Sequence, residues 1–358
     1  MSENDFDVIV VGAGVIGLSC AFGCSRKGLR VALIDPRPGS GATNAAAGML
    51  APSAEATDGE NGSFFASLEA LSLWPDFVRD VSERSGEPLH LDEGGSLCVG
   101  WDHSDRALQA HLARTATSLG VGVILVERVQ RAELFRDVTP RITSGHFYAN
   151  DASIDPDIVV RGLMGALRRD GATFINERAT DCVDGGGAVI VQTASSTYRA
   201  KRGIVATGYS PDSWSLRPSK AHAIRPVRGS TIRLRLDELV EPRMIRAVVR
   251  GRSVYIVVRS SGDVVLGASS DESSELITEA GTVLRLMSDA IEILPHLEHA
   301  TFVGVRVGLR PVSADQNPFF ELLAGEKWAW VGGHYRQGIT MAPLVAKQAG
   351  AFVVEMVC

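Results

Sequence analysis

Glycines 12, 14 and 17 fall in the run Gly12-Ala13-Gly14-Val15-Ile16-Gly17, close to the start of the chain. Each glycine answers a separate need: a tight turn, unobstructed approach of the backbone to a diphosphate, and close packing of a helix on a strand. The N–H groups and positive dipole end of a helix opening at Val15 and Ile16 would then face the phosphates. Asp35, followed by Pro36, stands about 20 residues further on, where a carboxylate accepts hydrogen bonds from ribose hydroxyls. A turn of this kind suits NAD or FAD equally, so the choice rests on other segments. Thr43-Asn44-Ala45-Ala46-Ala47-Gly48-Met49-Leu50 is built of small residues, as a loop lying against something flat and large would be. Ile204-Val205-Ala206-Thr207-Gly208 reads as a strand ending in Ala-Thr-Gly, and each of these two segments taken alone reads equally as an ordinary loop. With the glycine run so near the start, these segments favour FAD.

A second group of residues has the chemistry to meet a substrate. Arg310 closes the strand-like segment Phe302 to Leu309 and is fixed in direction by Pro311. A guanidinium fork meets a carboxylate through two parallel charge-assisted hydrogen bonds, which set position and orientation together. A salt bridge at a domain seam is the competing role. In Gly333-His334-Tyr335-Arg336-Gln337-Gly338-Ile339 a strand passes into the last helix. A helix N-terminus pointed at a flavin would stabilise the negative charge that reduction places there. Arg336 would add full positive charge near the flavin's pyrimidine edge or the substrate; an ordinary surface turn is the alternative for His334 and Arg336.

These residues need elements to hold them. Phe6 to Val11 is a β-rich run of the kind buried on both faces of a parallel sheet. Val15, Leu18, Ala21 and Phe22 recur at helical spacing until Gly28, and Arg30 to Ile34 predicts a second strand stopped by Asp35-Pro36. Arg225 to Leu236, Val254 to Arg259 and Val264 to Gly267 read as more antiparallel strands, the last two joined by a hairpin turn at Ser260-Ser261-Gly262-Asp263. A helix is predicted over Thr282 to Ile293. A strand over Phe302 to Leu309 leads into Arg310-Pro311, and another over Trp328 to Val331 precedes a last helix that starts between Gly338 and Pro343. No internal repeat or long linker intervenes, so two interleaved domains are expected. Residues 1–85, 150–220 and 305–358 would form a dinucleotide-binding domain, and residues 86–149 and 221–304 a substrate domain.

The 358 residues are 45% hydrophobic and 22% charged with a net charge of -6, enough for a large core shared between two domains. Both signs of charge are scattered, which argues against nucleic acid and against an anionic membrane surface. No segment approaches the ~18 consecutive apolar residues of a membrane span. Glu3, Asp5 and Asp7 ahead of Val8 to Val11 do not make a secretory signal, so a cytoplasmic protein is expected. Cys20, Cys24, Cys98, Cys182 and Cys358 include no C-x-x-C pair, which suggests neither a disulfide framework nor a metal site. Cys20 and Cys24 share a helix face and are expected to be small buried hydrophobes.

Taken together, the motifs resemble those of the D-amino-acid oxidase superfamily of FAD oxidoreductases, most closely the glycine oxidases of thiamine biosynthesis. The resemblance runs over nearly the whole chain. It rests on Gly12 to Gly17 with Asp35, the loop Ala45 to Leu50, Ala206-Thr207-Gly208, Pro226-Val227-Arg228-Gly229, Tyr255-Ile256-Val257-Val258-Arg259, Gly308-Leu309-Arg310-Pro311 with Ser313 and Asp315, and Gly333 to Ile339. It implies that Arg310 grips a substrate carboxylate and that Tyr255, on a strand over the flavin, donates a second hydrogen bond to it; a tyrosine that simply packs is the other reading. Trp214 joins the expected cofactor neighbours. Two positions depart from the glycine-oxidase pattern: Ser253 stands where a histidine precedes the tyrosine by two places, and Ser270 where the pocket has a second methionine. Pro311 occupies the place of the cysteine that bonds flavin in sarcosine-oxidase relatives, which implies non-covalent FAD.

The expected fold is therefore a two-domain α/β flavoprotein, with a Rossmann-like FAD-binding domain and a mixed, largely antiparallel substrate domain. The implied activity is oxidation of a small amino acid or amine by molecular oxygen, with homo-oligomerisation left open. A flavin-dependent dehydrogenase using a quinone or protein acceptor, a non-catalytic FAD-carrying subunit and an NAD-dependent dehydrogenase are the alternatives.

Overall fold

A computed structural model describes residues 5–56, 61–210, 214–237, 241–323 and 325–354. Cys358 lies outside them. The first strand, Asp5–Val11, is buried from Val8 onward, as its unbroken apolar run requires. It pairs in parallel with Val31–Ile34 on one side and Thr197–Val205 on the other. Thr173–Ile175 and Trp328–Gly332 extend this parallel core at its two ends. The first half of Thr197–Val205 also carries an antiparallel ribbon, Ala179–Asp184 with Val189–Thr193. Phe319–Leu323 lies antiparallel on Trp328–Gly332.

The helix Val15–Ser25 has no polar face: ten of its residues are buried. A helix apolar all round belongs inside a core, and this one lies between the parallel sheet and the last helix, Ala342–Phe352. Cys20 and Cys24 are fully buried there, as expected for free cysteines. The helix stops at Ser25, and a turn closed by the Gly28 N–H on the Ser25 carbonyl, with Gly28 at φ 74°, carries the chain to the second strand. Contact with the last helix is closest at Gly23, where a β-carbon would fall onto the Ala346 carbonyl.

The second eight-stranded sheet runs in the order Thr301–Ser313, Ile224–Arg235, Asp263–Gly267, Arg252–Val258, Arg243–Val249, Ser96–Gly100, Ser144–Tyr148 and Ile124–Glu127. Every pairing but that of Arg243–Val249 with Ser96–Gly100 is antiparallel. The hairpin at residues 260–263 is present, with Gly262 at φ 85°. The strand expected over Phe302 to Leu309 does not end at Arg310 but continues to Ser313, with Pro311 opposite Pro226. The proline is tolerated because this is the edge strand, where a missing N–H breaks no ladder. On that open side the Pro311 carbonyl accepts from the Tyr335 N–H instead. A small third sheet is formed by Met49–Leu50, Ala152–Ile154 and Leu91–Asp92. Among the described residues no helix is long and apolar enough to cross a membrane.

The helix contact at Gly23 gives a direct check on this packing. Gly23→Ala should lower folding stability by roughly 1–3 kcal/mol through overpacking, measured by thermal or denaturant unfolding. Gly122→Ala, where the added methyl meets nothing within 4 Å, should leave stability near that of the parent.

Candidate active site

The two large sheets face each other across one cavity, and the glycine run forms part of its wall. The three glycines are constrained as their spacing suggests. Gly12 has φ 97°, and a β-carbon on it would lie 2.5 Å from the Ala206 carbonyl oxygen. At Gly17 a β-carbon would collide with the Gly12 carbonyl, so this glycine sets helix against turn and does not itself line the cavity. Gly14 is different: the only atom a β-carbon there would meet is Thr43 Oγ1, at 3.3 Å, and the space beyond is open cavity. Gly14 brings no capping side chain to the helix that follows, and no acidic residue occupies its first turn, so no charge within the helix itself offsets its positive end. Val15 N–H donates to Thr43 Oγ1 at 3.0 Å. This bare cradle fits a dinucleotide diphosphate.

Asp35 lines the same cavity and also ties the turn down. Its Oδ2 accepts from the Ala13 N–H and its Oδ1 from the Arg37 N–H, both at 2.7 Å. Each carboxylate oxygen keeps a further lone pair for a ribose hydroxyl. Pro36 lies outside the cavity lining.

The small-residue loop is held by the opposite sheet. Four consecutive carbonyls accept hydrogen bonds from it: Asn44 from Arg306 at 3.1 Å and Arg233 at 3.3 Å, Ala45 from Thr231 at 3.0 Å, Ala46 from Arg233 at 2.8 Å, and Ala47 from Arg259 at 2.7 Å. Burial, with repulsion from Arg306 and Arg259, pushes the Arg233 pKa down to about 10, which still leaves it charged at neutral pH. Thr43, Ala46, Ala47, Gly48 and Met49 line the cavity from this loop. Gly48 sits at φ 83° against the Ile154 carbonyl, where no side chain fits. Ala206, Thr207 and Gly208 reach the cavity from the end of the strand Thr197–Val205.

Two side chains lean over bare glycines on the antiparallel sheet. A β-carbon at Gly229 would fall inside the Arg310 guanidinium, and one at Gly267 inside the Tyr255 phenol. Arg310 donates to the Ser269 carbonyl at 3.0 Å, and among the described residues no carboxylate pairs with it. Burial pushes the Tyr255 hydroxyl above its ordinary pKa, with Arg310 and Arg233 pulling the other way. The phenol therefore stays protonated and able to donate.

From the last connection, His334, Tyr335, Arg336, Gly338 and Ile339 line the cavity. His334 is buried, which pushes its pKa down to about 4 and leaves the ring neutral at pH 7. Arg336 is exposed, its guanidinium 5.0 Å from the Tyr335 ring centre. Gln337 points elsewhere, accepting from Ser67 Oγ at 2.6 Å. Trp214 is also outside the lining; it packs against Trp330 at 6.0 Å on the far side of the parallel sheet. Ser253 and Ser270 both lie on the cavity's exposed rim.

Several contributors carry no motif of their own. Thr231, Arg233 and Arg306 are visible in the sequence only as polar residues within largely apolar strands, and Arg259 only as the end of the segment that begins at Tyr255. Glu55 and Arg246, paired at 2.7 Å, line the cavity with Gln109. Arg246 stands in register with Tyr255 on the neighbouring strand, which places both on one face.

Comparison with known proteins matches residues 7–351 to the family described as FAD dependent oxidoreductase. The glycine oxidase of Bacillus licheniformis is 27% identical over 98% of this chain and 93% of its own. The bifunctional protein ThiO/ThiG of Nostoc sp. is 28% identical over 98% of this chain and 53% of its own. In fold, the crystal structure of glycine oxidase from Geobacillus kaustophilus superposes with a TM-score of 0.84, at 22% identity, covering 99% of this chain and 95% of that one.

Asp35 separates turn-anchoring from ribose binding. Asp35→Ala should weaken FAD binding by roughly 1.5–3 kcal/mol, the scale of hydrogen bonds to a charged acceptor, and release flavin on gel filtration. Asp35→Asn keeps an acceptor for the Ala13 N–H, so its retention should fall between the two. Equal retention in all three proteins would remove Asp35 from the cofactor's contacts.

Proposed function

The chain belongs to the FAD-dependent oxidoreductase family, and from that premise we propose that it is an oxidase of a small amino acid. The α-carbon–nitrogen bond is oxidised to an imine, water hydrolyses the imine to an oxo acid and ammonia, and O2 takes up two electrons and two protons as hydrogen peroxide. The observation that carries this reading is the Arg310 guanidinium, held over Gly229 without a carboxylate partner among the described residues and beside the protonated Tyr255. The similarity to a named glycine oxidase along almost the full chain supports it.

FAD, when bound, supplies the two-electron acceptor for the hydride of the α-carbon. In this reading the turn from Gly12 to Gly17 holds its diphosphate and Asp35 its ribose, while the Ala46 to Met49 loop, Gly208 and the His334 to Ile339 connection surround the ring system. Arg310 meets the substrate carboxylate through its fork and Tyr255 donates to the same group, which fixes the α-carbon in one orientation. A neutral His334 adds no competing charge. Of the carboxylates on the cavity wall, Asp35 is engaged with the glycine turn and Glu55 is paired with Arg246. The substrate amine is therefore taken up unprotonated, and no side chain has to remove its proton during the redox step.

Arg310 is the test. Arg310→Ala leaves a bound carboxylate without its partner, a loss of roughly 3–5 kcal/mol, or roughly two to four decades in kcat/KM at about 1.4 kcal/mol per tenfold. Arg310→Lys should recover only part, since an ammonium lacks the two-pronged geometry. The informative comparison is alanine against ethylamine, which lacks the carboxylate. The variant should lose activity on the first and not on the second, with FAD content and melting temperature close to the parent's. Equal losses on both, or loss of flavin, would make Arg310 a structural bridge.

Tyr255 adds a pH criterion. With its pKa raised above the ordinary 10.0, the hydroxyl donates throughout the neutral and mildly alkaline range. The profile of kcat/KM should therefore show no falling limb below pH 10 that Tyr255→Phe removes. Such a limb would mean that the phenol ionises in the working range.

A further inference from the structure

We propose that the end of the cavity bounded by Glu55, Gln109 and Arg246 is a subsite for a neutral hydrogen-bonding group, a hydroxyl or a primary carboxamide, carried by the substrate beyond its reacting carbon. The inference rests on the amino-acid oxidase reading above and narrows its substrate class.

The subsite is built into the fold. Glu55 sits on the turn that follows Ala51, and this turn is pinned by Asp151, which is fully buried and accepts from the Ser53 and Ala54 N–H groups, both at 3.2 Å. Asp151 also accepts from Ser96 Oγ at 2.5 Å. So fixed, Glu55 meets Arg246 Nη1 at 2.7 Å. Burial opposes the charge on Arg246, yet Glu55 and its other acidic neighbours hold its pKa above the usual arginine value. Gln109, on the helix His103–Ser118, is 94% buried by its 6% relative exposure. Its side chain lines the cavity, and the amide, without a hydrogen-bond partner among the described residues, is open to that space and not sealed in the core. A ligand group that both donates and accepts there takes the place of the solvent the amide would otherwise meet.

Position and charge decide what that group is. Strands in a sheet lie roughly 4.8 Å apart, and Arg310 and Arg246 stand on strands four places apart in the sheet order. Arg310 and Tyr255 reach inward over Gly229 and Gly267, so the clamped carboxylate lies between, and a substrate must extend past its α-carbon to touch Arg246. With Arg310 matched to the α-carboxylate and Arg246 already matched to Glu55, no cation is left over at this end of the cavity; Arg336 belongs to the last connection, apart from the sheet that carries them. A second carboxylate would lie against Glu55, and a second ammonium against Arg246, each without a counter-charge. Arg246 retains free N–H groups, Glu55 a free oxygen, and Gln109 offers both a donor and an acceptor. A hydroxyl or carboxamide uses donors and acceptors together without adding charge. Glycine, by contrast, leaves this end of the cavity unfilled.

Binding can be read apart from turnover by titrating the FAD-loaded protein with carboxylic acids that lack the amine, following the perturbation of the flavin spectrum. The probes are propionate, butyrate, succinamate and succinate, and the amino acids alanine, serine, asparagine and aspartate are assayed in both enantiomers for peroxide release. We expect succinamate to bind about tenfold more tightly than butyrate or succinate, the scale of one to two net hydrogen bonds. Asparagine or serine should likewise exceed alanine and aspartate in kcat/KM. In Gln109→Leu the succinamate-to-butyrate ratio should fall towards one; because the readout is a ratio, a general loss of affinity does not mimic the effect. Tightest binding by butyrate or succinate, or a ratio unchanged in Gln109→Leu, overturns the subsite while leaving the oxidase reading intact. Failure of every carboxylate to perturb the flavin, with no amino acid oxidised, overturns the oxidase reading and the subsite with it.

Discussion

Four consecutive backbone carbonyls, from Asn44 to Ala47, are held by Thr231, Arg233, Arg259 and Arg306 of the opposite sheet. This seam sets the separation of the two layers between which the cavity lies. The loop belongs to the side that carries the glycine turn, and its anchors belong to the sheet that carries Tyr255 and Arg310. Whatever is bound at one wall is thereby placed in register with the side chains of the other. Three guanidiniums so close together repel one another, and two measures keep the arrangement stable. The carbonyl dipoles face the charges, and Asp157 pairs with Arg306 at 2.9 Å while Asp155 lies 3.8 Å from Arg259.

The same economy of space governs the substrate side. Arg310 and Tyr255 lie flat over glycines, so each reaches across the sheet instead of standing up from it. The absence of side chains at Gly229 and Gly267 is as much a part of the proposed clamp as the guanidinium and the phenol. On the sheet's face of the cavity Glu55 is paired with Arg246, and Arg310 alone has no carboxylate partner among the described residues; His334, on the last connection, is kept uncharged by burial. In the proposed reading that one cation selects the substrate's one carboxylate.

Where local chemistry is tied to spacing, the sequence was legible. The turn at Gly12, Gly14 and Gly17 could be read because backbone geometry permits few residues where strand passes so tightly into helix, and the helix Val15–Ser25 because its apolar residues recur at every angle. The limits of the strands around Tyr255 and the hairpin at Gly262 followed from alternation and turn chemistry. Less could be read where a residue's role depends on another layer. Arg233 and Arg306 look like the outward charges of ordinary strands, and only the fold shows that they face a loop nearly two hundred residues or more away in the chain. Trp214 and Gln337 were placed near the cofactor by resemblance, whereas the side chains turn to Trp330 and Ser67. A proline after Arg310 signals the end of a strand; that the strand lies at a sheet edge, where proline is harmless, is a property of topology alone. The helix His103–Ser118 has a capping box from Asp102 to Asp105 that is visible in the sequence, but nothing local says that its Gln109 enters the cavity.

The central claim is that an amino acid held by this sheet is oxidised by a flavin held on the other wall, with oxygen as the final acceptor. Anaerobic stopped-flow mixing of the purified yellow protein with small amino acids, followed by a second mix with aerated buffer, tests it most directly. The account predicts that at least one amino acid bleaches the flavin absorbance, and that air restores it at a rate no slower than turnover, with one peroxide per flavin. A flavin that stays oxidised before every amino acid, or one that is bleached but is not reoxidised by air, would contradict it.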